Sequence, residues 1–538
     1  MSRHLRIALR GLIPLGFALL ICHCGTPTPP KCHFLPFKSR GNSTELVEEA
    51  RQAWNEVGRT GSAEARDRYN QVVAKLVDQL RCSRRGAHEK ARLMGTRIDS
   101  SHSLGAGVTF DMLDALIPAS RIDTDRVGER HLNPGIGVPM VGWYSYDESK
   151  DPRYRFAPPT GLPFNLNALL DFDQSPPTWR VTFPGKVESI SVNGRDQALA
   201  IDWSAPSALY WQMSDLDDLD LAKVILPGRF TNQTRLYAAA PHNPDKIPVI
   251  LVHGLYSSPG TYKVMYNELN SEPWFRENYE VWFFSYPTGT SWVYNAASFR
   301  DHLEDATREV AKMGNLRNWN EMVLVGHSMG GVISHASLID PGTRFYDNSF
   351  SEPIDELEVS ENTREAIRWT TLYEPVDEPS RVVFMAAPHK GSPMANRFFS
   401  RFIENLIRLP KTLTVELLDV TLSEVGTAIE DGGKHRPVQT SIGTLQPQFG
   451  GYKSLNASPM RPDVEIHSII GDRGRGDGEE SSDGIVPYWS SHIPEVESEL
   501  IVPYSHTLTG KPETIEEVKR ILQLHLKELG RSGASQAR

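Results

Sequence analysis

Ser328 is the side chain in this sequence whose surroundings best suit it to attack an electrophile. It sits in Gly326-His327-Ser328-Met329-Gly330-Gly331, directly after the apolar run Val323-Leu324-Val325 and before a helical stretch from Gly330 to Leu338. A buried strand that reverses sharply into a helix lifts the hydroxyl clear of the sheet, and glycines must flank it because side chains there would collide. The helix N-terminus beneath the hydroxyl favours developing negative charge. A plain glycine turn is the bland alternative, and the strand before and helix after the motif argue against it. Upstream, Val249-Ile250-Leu251-Val252-His253-Gly254-Leu255 is a second apolar strand ending in His-Gly. There the backbone N–H of Leu255 would join that of Met329 to hold an oxyanion, an arrangement in which losing one donor slows reaction by about 10²–10³. His253 is read as a brace of that loop rather than as a base.

Together with two later segments these motifs acquire a family likeness. The His-Gly strand, Gly-His-Ser-Met-Gly-Gly, and Ser482-Asp483-Gly484-Ile485-Val486-Pro487-Tyr488-Trp489-Ser490-Ser491-His492 resemble bacterial lipases of the α/β-hydrolase superfamily, as does Phe384-Met385-Ala386-Ala387-Pro388-His389-Lys390-Gly391-Ser392. The likeness runs over roughly residues 245–525, with gaps. It implies the α/β-hydrolase fold, hydrolysis of a carboxylic ester, a triad acid at Asp483 and a base at His506, in the chain order Ser, Asp, His proper to that fold. Asp472 and Asp477 compete for the acid, since Asp472 directly follows the expected strand Val464–Ile470. Asp483 is preferred because Gly484-Ile485-Val486-Pro487 supplies a tight turn and an apolar anchor. Asp472 has Arg473 and Arg475 beside it, and a surface ion pair accounts for it. His327, His389, His492 and His525 have weaker claims as bases.

With those three residues the chemistry closes without help. His506 would take the Ser328 proton, Asp483 would fix the imidazole tautomer, and water would release the acyl group through the same His506. No metal or organic cofactor is expected. Lipases of this type often carry calcium on an Asp two residues beyond the catalytic His, and Leu508 stands there instead. Asp472, Asp477, Glu479 and Glu480 are read as a solvated loop.

Elements able to position such a site follow Pro248. Apolar runs at Val249–Val252, Val281–Phe284, Met322–Val325, Val382–Met385, Val464–Ile470 and Leu500–Val502 alternate with helical stretches such as Ser298–Lys312. Continuous apolar strands between helices predict a mostly parallel sheet covered on both faces. The long insert after Met385, rich in Phe, Leu, Ile and Val, is read as a cap over the site at residues 396–450, while the acidic insertion 341–380 suggests no role.

The N-terminal two-fifths lies outside the likeness. Ser43 to Val57 and Ala63 to Leu80 predict a helical hairpin, the second helix carrying Tyr69, Val72, Val73, Leu76, Val77 and Leu80 on one face. From 101 to 240 short β-prone runs, including Ser189-Ile190-Ser191-Val192 before Asn193-Gly194, predict a β-rich accessory region. Ahead of all this, Arg3, Arg6, Arg10 and the apolar run to Cys22 predict an export signal over 1–24, and Cys22 or Cys24 before a Pro-rich linker (25–42) is similar to a bacterial lipoprotein leader. The resulting division is 1–24, 25–42, a helical segment 43–100, the accessory region 101–240, the catalytic region 241–530 and a tail 531–538. A net charge of −10 with no basic block argues against nucleic acid, and four cysteines are too few for a disulfide scaffold. The expected partners are a lipid or small-molecule ester and, through a lipid anchor, a membrane surface of the bacterial envelope. A lipase or esterase is the leading reading. Phospholipid or glycolipid deacylases, thioesterases and acyltransferases share the triad, and an inactive envelope-binding protein is the alternative from another class.

Overall fold

The computed structural model describes residues 42–531, apart from 82–85, 102, 105–106, 147–150, 186, 215, 218–233, 395–443, 475–477, 479–480 and 495. The export signal, nearly all of the Pro-rich linker, Cys32, Cys82 and most of the expected cap fall outside the described residues. So do Asp477, Glu479 and Glu480.

Helices α1 (Ser43–Thr60) and α2 (Ala63–Arg81) form the expected hairpin. The Asn42 side chain caps α1 by accepting from the Thr44 N–H at 3.1 Å, and Gly61, at φ 65°, ends it in the left-handed region. The face predicted from Tyr69 to Leu80 is buried. It meets a sheet that the next hundred residues build from β1 (Arg97–Asp99), β2 (Ala115–Pro118), β4 (Val138–Tyr144), β5 (Leu162–Asp171) and β6 (Thr178–Thr182), in the order β1-β6-β5-β4-β2. All its ladders are antiparallel except β1 on β6. Two ribbons complete the region: β3 (Leu132–Asn133) with β9 (Ile201–Asp202), and the hairpin of β7 (Ser189–Val192) and β8 (Arg195–Ala198) across Asn193-Gly194. The helical segment and the β-rich region therefore form one unit, the hairpin burying its stripe against this sheet. Tyr69 secures the junction: its hydroxyl donates to Leu170 O at 2.7 Å and accepts from the Leu170 N–H at 2.9 Å.

Helix α3 (Ser204–Met213) was not anticipated. Nearly every residue in it is buried, so it shows no amphipathic period to read. It is wedged between β5 and the catalytic region, where Trp211 meets Phe283 edge-on at 4.9 Å and Tyr210 lies 5.9 Å from Tyr266.

The second sheet is formed by β10 (Arg235–Ala238), β11 (Ile247–Val252), β12 (Tyr279–Ser285), β13 (Met322–His327), β14 (Pro379–Met385), β15 (Glu465–Gly471) and β16 (Ser498–Val502), in the order β10-β12-β11-β13-β14-β15-β16. Every ladder is parallel but that of β10 on β12. With α4 (Lys263–Ser271), α5 (Trp292–Met313), α6 (Met329–Leu338) and α7 (Pro512–Glu528) packed about it, this is the α/β-hydrolase fold. One boundary moves. The strand Arg235–Ala238 lies inside the span assigned to the accessory region, yet it forms the antiparallel edge of the seven-stranded sheet. The central strands β11 and β13 are buried along their whole length, which is why they read as unbroken apolar runs. Of the span expected to cap the site, the described part runs from Thr444, whose carbonyl accepts from the Trp292 indole N–H at 2.8 Å, and packs Phe449 against Trp292, ring centroids 5.8 Å apart.

Candidate active site

Strand β13 ends at His327, and Ser328 turns the chain into α6 with φ 55° and ψ −123°, a strained conformation for a residue with a side chain. The turn survives because its neighbours leave no slack. A Cβ on Gly330 would lie 2.1 Å from Val252 O, and one on Gly326 would lie 2.7 Å from Gly330 O, so both positions admit glycine alone. The Ser328 N–H donates to Met385 O at 2.9 Å, tying the turn to the end of β14.

The structure brings the three chemically expected side chains together. Ser328 Oγ lies 2.8 Å from Nε2 of His506, and Nδ1 of His506 lies 2.7 Å from Oδ2 of Asp483. A carboxylate oxygen can only accept, so Nδ1 carries the proton and Nε2 of the neutral ring is left to accept from the Ser328 hydroxyl. Asp483 is buried, and its other oxygen accepts from the N–H groups of Ile485 and Val486 at 2.8 and 2.7 Å. Those are the amides of the Gly-Ile-Val turn picked out in the sequence. The loop folds back so that the His506 N–H donates to Asp483 O at 3.2 Å. Asp472 is placed elsewhere. Its N–H donates to Val502 O and its carboxylate caps the Gly474 N–H at 2.8 Å.

On the other side of the hydroxyl stands the His-Gly loop. A Cβ on Gly254 would come within 2.9 Å of the Ser328 Cβ, so Leu255 leaves the sheet beside Ser328. Met329 opens α6, and the first N–H groups of a helix have no partner within it. Two residues that the sequence did not single out hold this loop. The Tyr286 hydroxyl donates to His253 O at 2.6 Å while its ring stacks on the His253 ring at 4.3 Å and 11°. The Tyr262 hydroxyl lies 2.9 Å from Val252 O and 3.2 Å from Val325 O, bridging β11 and β13 just below the site. Tyr256 follows at φ 52°, a second strained residue in the same loop. Only the position of Tyr286 immediately after a buried strand could have pointed to it.

Other histidines lie outside the constellation. His389, just after β14, and His335, in α6, share a hydrogen bond, Nδ1 to Nδ1 at 3.0 Å, and burial pushes His335 down to about 4. His492 pairs with Glu499 at 2.7 Å, and His525 contacts Tyr279 and Ser380 at the far end of the strands. No group of three or more metal-ligating side chains occurs among the described residues.

Residues 243–348, which carry the His-Gly loop and the serine turn, match the model of a family described as "PGAP1-like alpha/beta domain". No curated protein matches the chain by sequence. Among solved structures the chain is similar to the mature lipase BlEst2 of Bacillus licheniformis, at 17% identity over 53% of this chain and 97% of that one with a TM-score of 0.33. It is likewise similar to the Staphylococcus hyicus lipase, at 15% identity over 55% and 98% with a TM-score of 0.35. A lipase-esterase related protein of Clostridium acetobutylicum aligns at 15% over 53% and 98%, TM-score 0.31.

Proposed function

We propose that this protein is a serine hydrolase that cleaves carboxylic esters of lipid-like substrates through Ser328, His506 and Asp483. The observation that carries the proposal is the unbroken path from Ser328 Oγ through His506 to Asp483, at 2.8 and 2.7 Å, with the serine held in a strained turn at a helix N-terminus. In this scheme His506 Nε2 removes the hydroxyl proton as Oγ adds to the ester carbonyl. The carbonyl electrons move to the oxygen, where the N–H groups of Leu255 and Met329 receive them. Collapse of the tetrahedral species expels the alcohol, which takes the proton from His506. Water, deprotonated by the same ring, then attacks the acyl-enzyme, frees the carboxylic acid and restores the serine. Asp483 accepts from Nδ1–H throughout and stabilises the transient imidazolium without taking its proton.

Ser328→Ala tests the reading directly. Hydrolysis of p-nitrophenyl esters should fall on the order of 10⁶-fold with folding intact, and labelling by a fluorophosphonate probe should vanish. A Ser328→Ala protein that keeps more than a few per cent of activity would refute the assignment. A chain-length series of the same esters, set beside triglyceride and phospholipid emulsions, then identifies the preferred acyl group and head group.

A further inference from the structure

His327 is one residue before the nucleophile and is buried, yet the proton path from Ser328 to Asp483 does not pass through it. Its Nε2 lies 2.8 Å from the backbone carbonyl oxygen of His506. That oxygen can only accept, so the His327 proton sits on Nε2, and Nδ1, which faces Gly254, finds no hydrogen-bond partner among the described residues. The two rings stand 5.0 Å apart, tilted by 44°.

Besides its bond to Ser328 Oγ and the local Leu508 N–H on its carbonyl, His506 is held at three backbone and ring positions. Its N–H and its Nδ1 both bind Asp483, so two of the three restraints come from the acid loop and move with that loop. Among the described residues the third, apart from the Ser328 Oγ bond that it would align, joins His506 to the strand that carries Ser328. Strands β13 and β16, from which the nucleophile turn and the His506 loop emerge, are separated in the sheet by β14 and β15. A direct bond between the two loops fixes the separation of Oγ and Nε2 in a way that the sheet between them cannot. From this geometry we infer that His327 is a positioning residue, whose Nε2–H sets the distance between the base and the nucleophile. Burial, reinforced by the neighbouring His506 ring and by His253, lowers its pKa to about 3, against the opposing pull of the hydrogen bond to the His506 carbonyl and of Asp483. The donor therefore stays neutral and in one tautomer at every pH where the triad would operate.

This role rests on the hydrolase reading, and three variants separate the two. His327→Gln keeps an amide N–H that reaches the same carbonyl, His327→Asn keeps the amide on a shorter arm, and His327→Leu keeps bulk without a donor. Loss of alignment by about 1 Å is worth up to about 10²-fold in rate. On a soluble p-nitrophenyl ester, His327→Leu and His327→Asn should lose between 10- and 100-fold in kcat and in fluorophosphonate labelling rate, with KM changed less than about two-fold. His327→Gln should recover most of that loss. If Ser328→Ala is inactive but His327→Asn or His327→Leu turns over like the original protein, the positioning role is wrong and the hydrolase reading stands. His327→Gln as slow as His327→Asn, with equal melting temperatures, also overturns it. Turnover by Ser328→Ala instead removes the hydrolase reading itself.

Discussion

The N-terminal unit and the catalytic region bury different kinds of polar group. In the former, Asn167 donates to Ile136 O and Ala200 O at 3.1 and 2.7 Å, Asn165 donates to Asp202 O, and Asp202 joins Arg130 to the start of α3. Such amides carry no titratable proton, and the acid among them is paired with an arginine. The catalytic region instead buries His242, His253, His327, His335, His389, His467 and His525, while the histidines described in the N-terminal unit, His88 and His131, are at least partly exposed. Amides pin turns and strand ends at any pH. The imidazoles that burial holds neutral, among them His327, His335, His467 and His525, also pin loops and strand ends, but protonation works against their burial. The contrast predicts two regions sharing one core that answer differently to substitution and to acid.

The largest effect should be confined to the catalytic region and leave its stability alone. Asp483→Asn preserves the shape of the site but favours the wrong imidazole tautomer, with a loss on the order of 10⁴ in kcat, equivalent to about 5.5 kcal/mol in the barrier. Asp472→Asn, whose side chain caps a surface turn, should alter rate and melting temperature hardly at all. Steady-state kinetics on both variants would show the reverse ranking if Asp472 were the acid.

Next comes a change that neither region should escape. Trp211, from α3, is nearly fully buried against Phe283 of β12, so Trp211→Ala should destabilise the protein by about 3–5 kcal/mol. Because one apolar core runs from Leu46 to Leu526 through both regions, a single cooperative transition should move down in temperature. Two transitions in calorimetry, only one of them displaced, would mean that the regions unfold independently.

The smallest effect per group separates the regions again. Burial, with Arg381 nearby, lowers His467 and His525 to about 3, and burial lowers His335 to about 4. The unfolded chain binds these protons near pH 6.5, so acid favours unfolding. Stability is complete above that pH and is lost as pH falls toward 3–4, by about 2 kcal/mol for each such histidine at pH 5. His525→Gln should remove close to one proton's share of that slope, about 1.4 kcal/mol per pH unit. A melting temperature that stays level from pH 7 to pH 5 would contradict the contrast.

Much of the catalytic region was legible because parallel strands covered on both faces must be apolar throughout, and β11 and β13 are. The serine was legible from the glycines its turn requires, and Asp483 from the turn whose amides hold its carboxylate. His327 and Tyr286 were not, since each acts on a carbonyl remote in sequence and no local spacing encodes that reach. The N-terminal sheet was obscured for a similar reason. Its longest strand, Leu162–Asp171, is interrupted by Asn165 and Asn167, which look like loop residues until carbonyls from residues 136 and 200–202 arrive to receive them.

The wedge of α3 between the two sheets also bears on the order in which the chain can settle during synthesis. The N-terminal unit emerges from the ribosome first, but Tyr210 and Trp211 meet their partners only when Tyr266 and Phe283 follow. Tyr279, on that same strand, donates its hydroxyl to Leu522 O at 2.8 Å, and α7 closes the shared core. The nascent chain therefore carries an uncovered aromatic face until Tyr266 and Phe283 have emerged, and a ribosome that stops short of α7 releases a chain whose shared core cannot close.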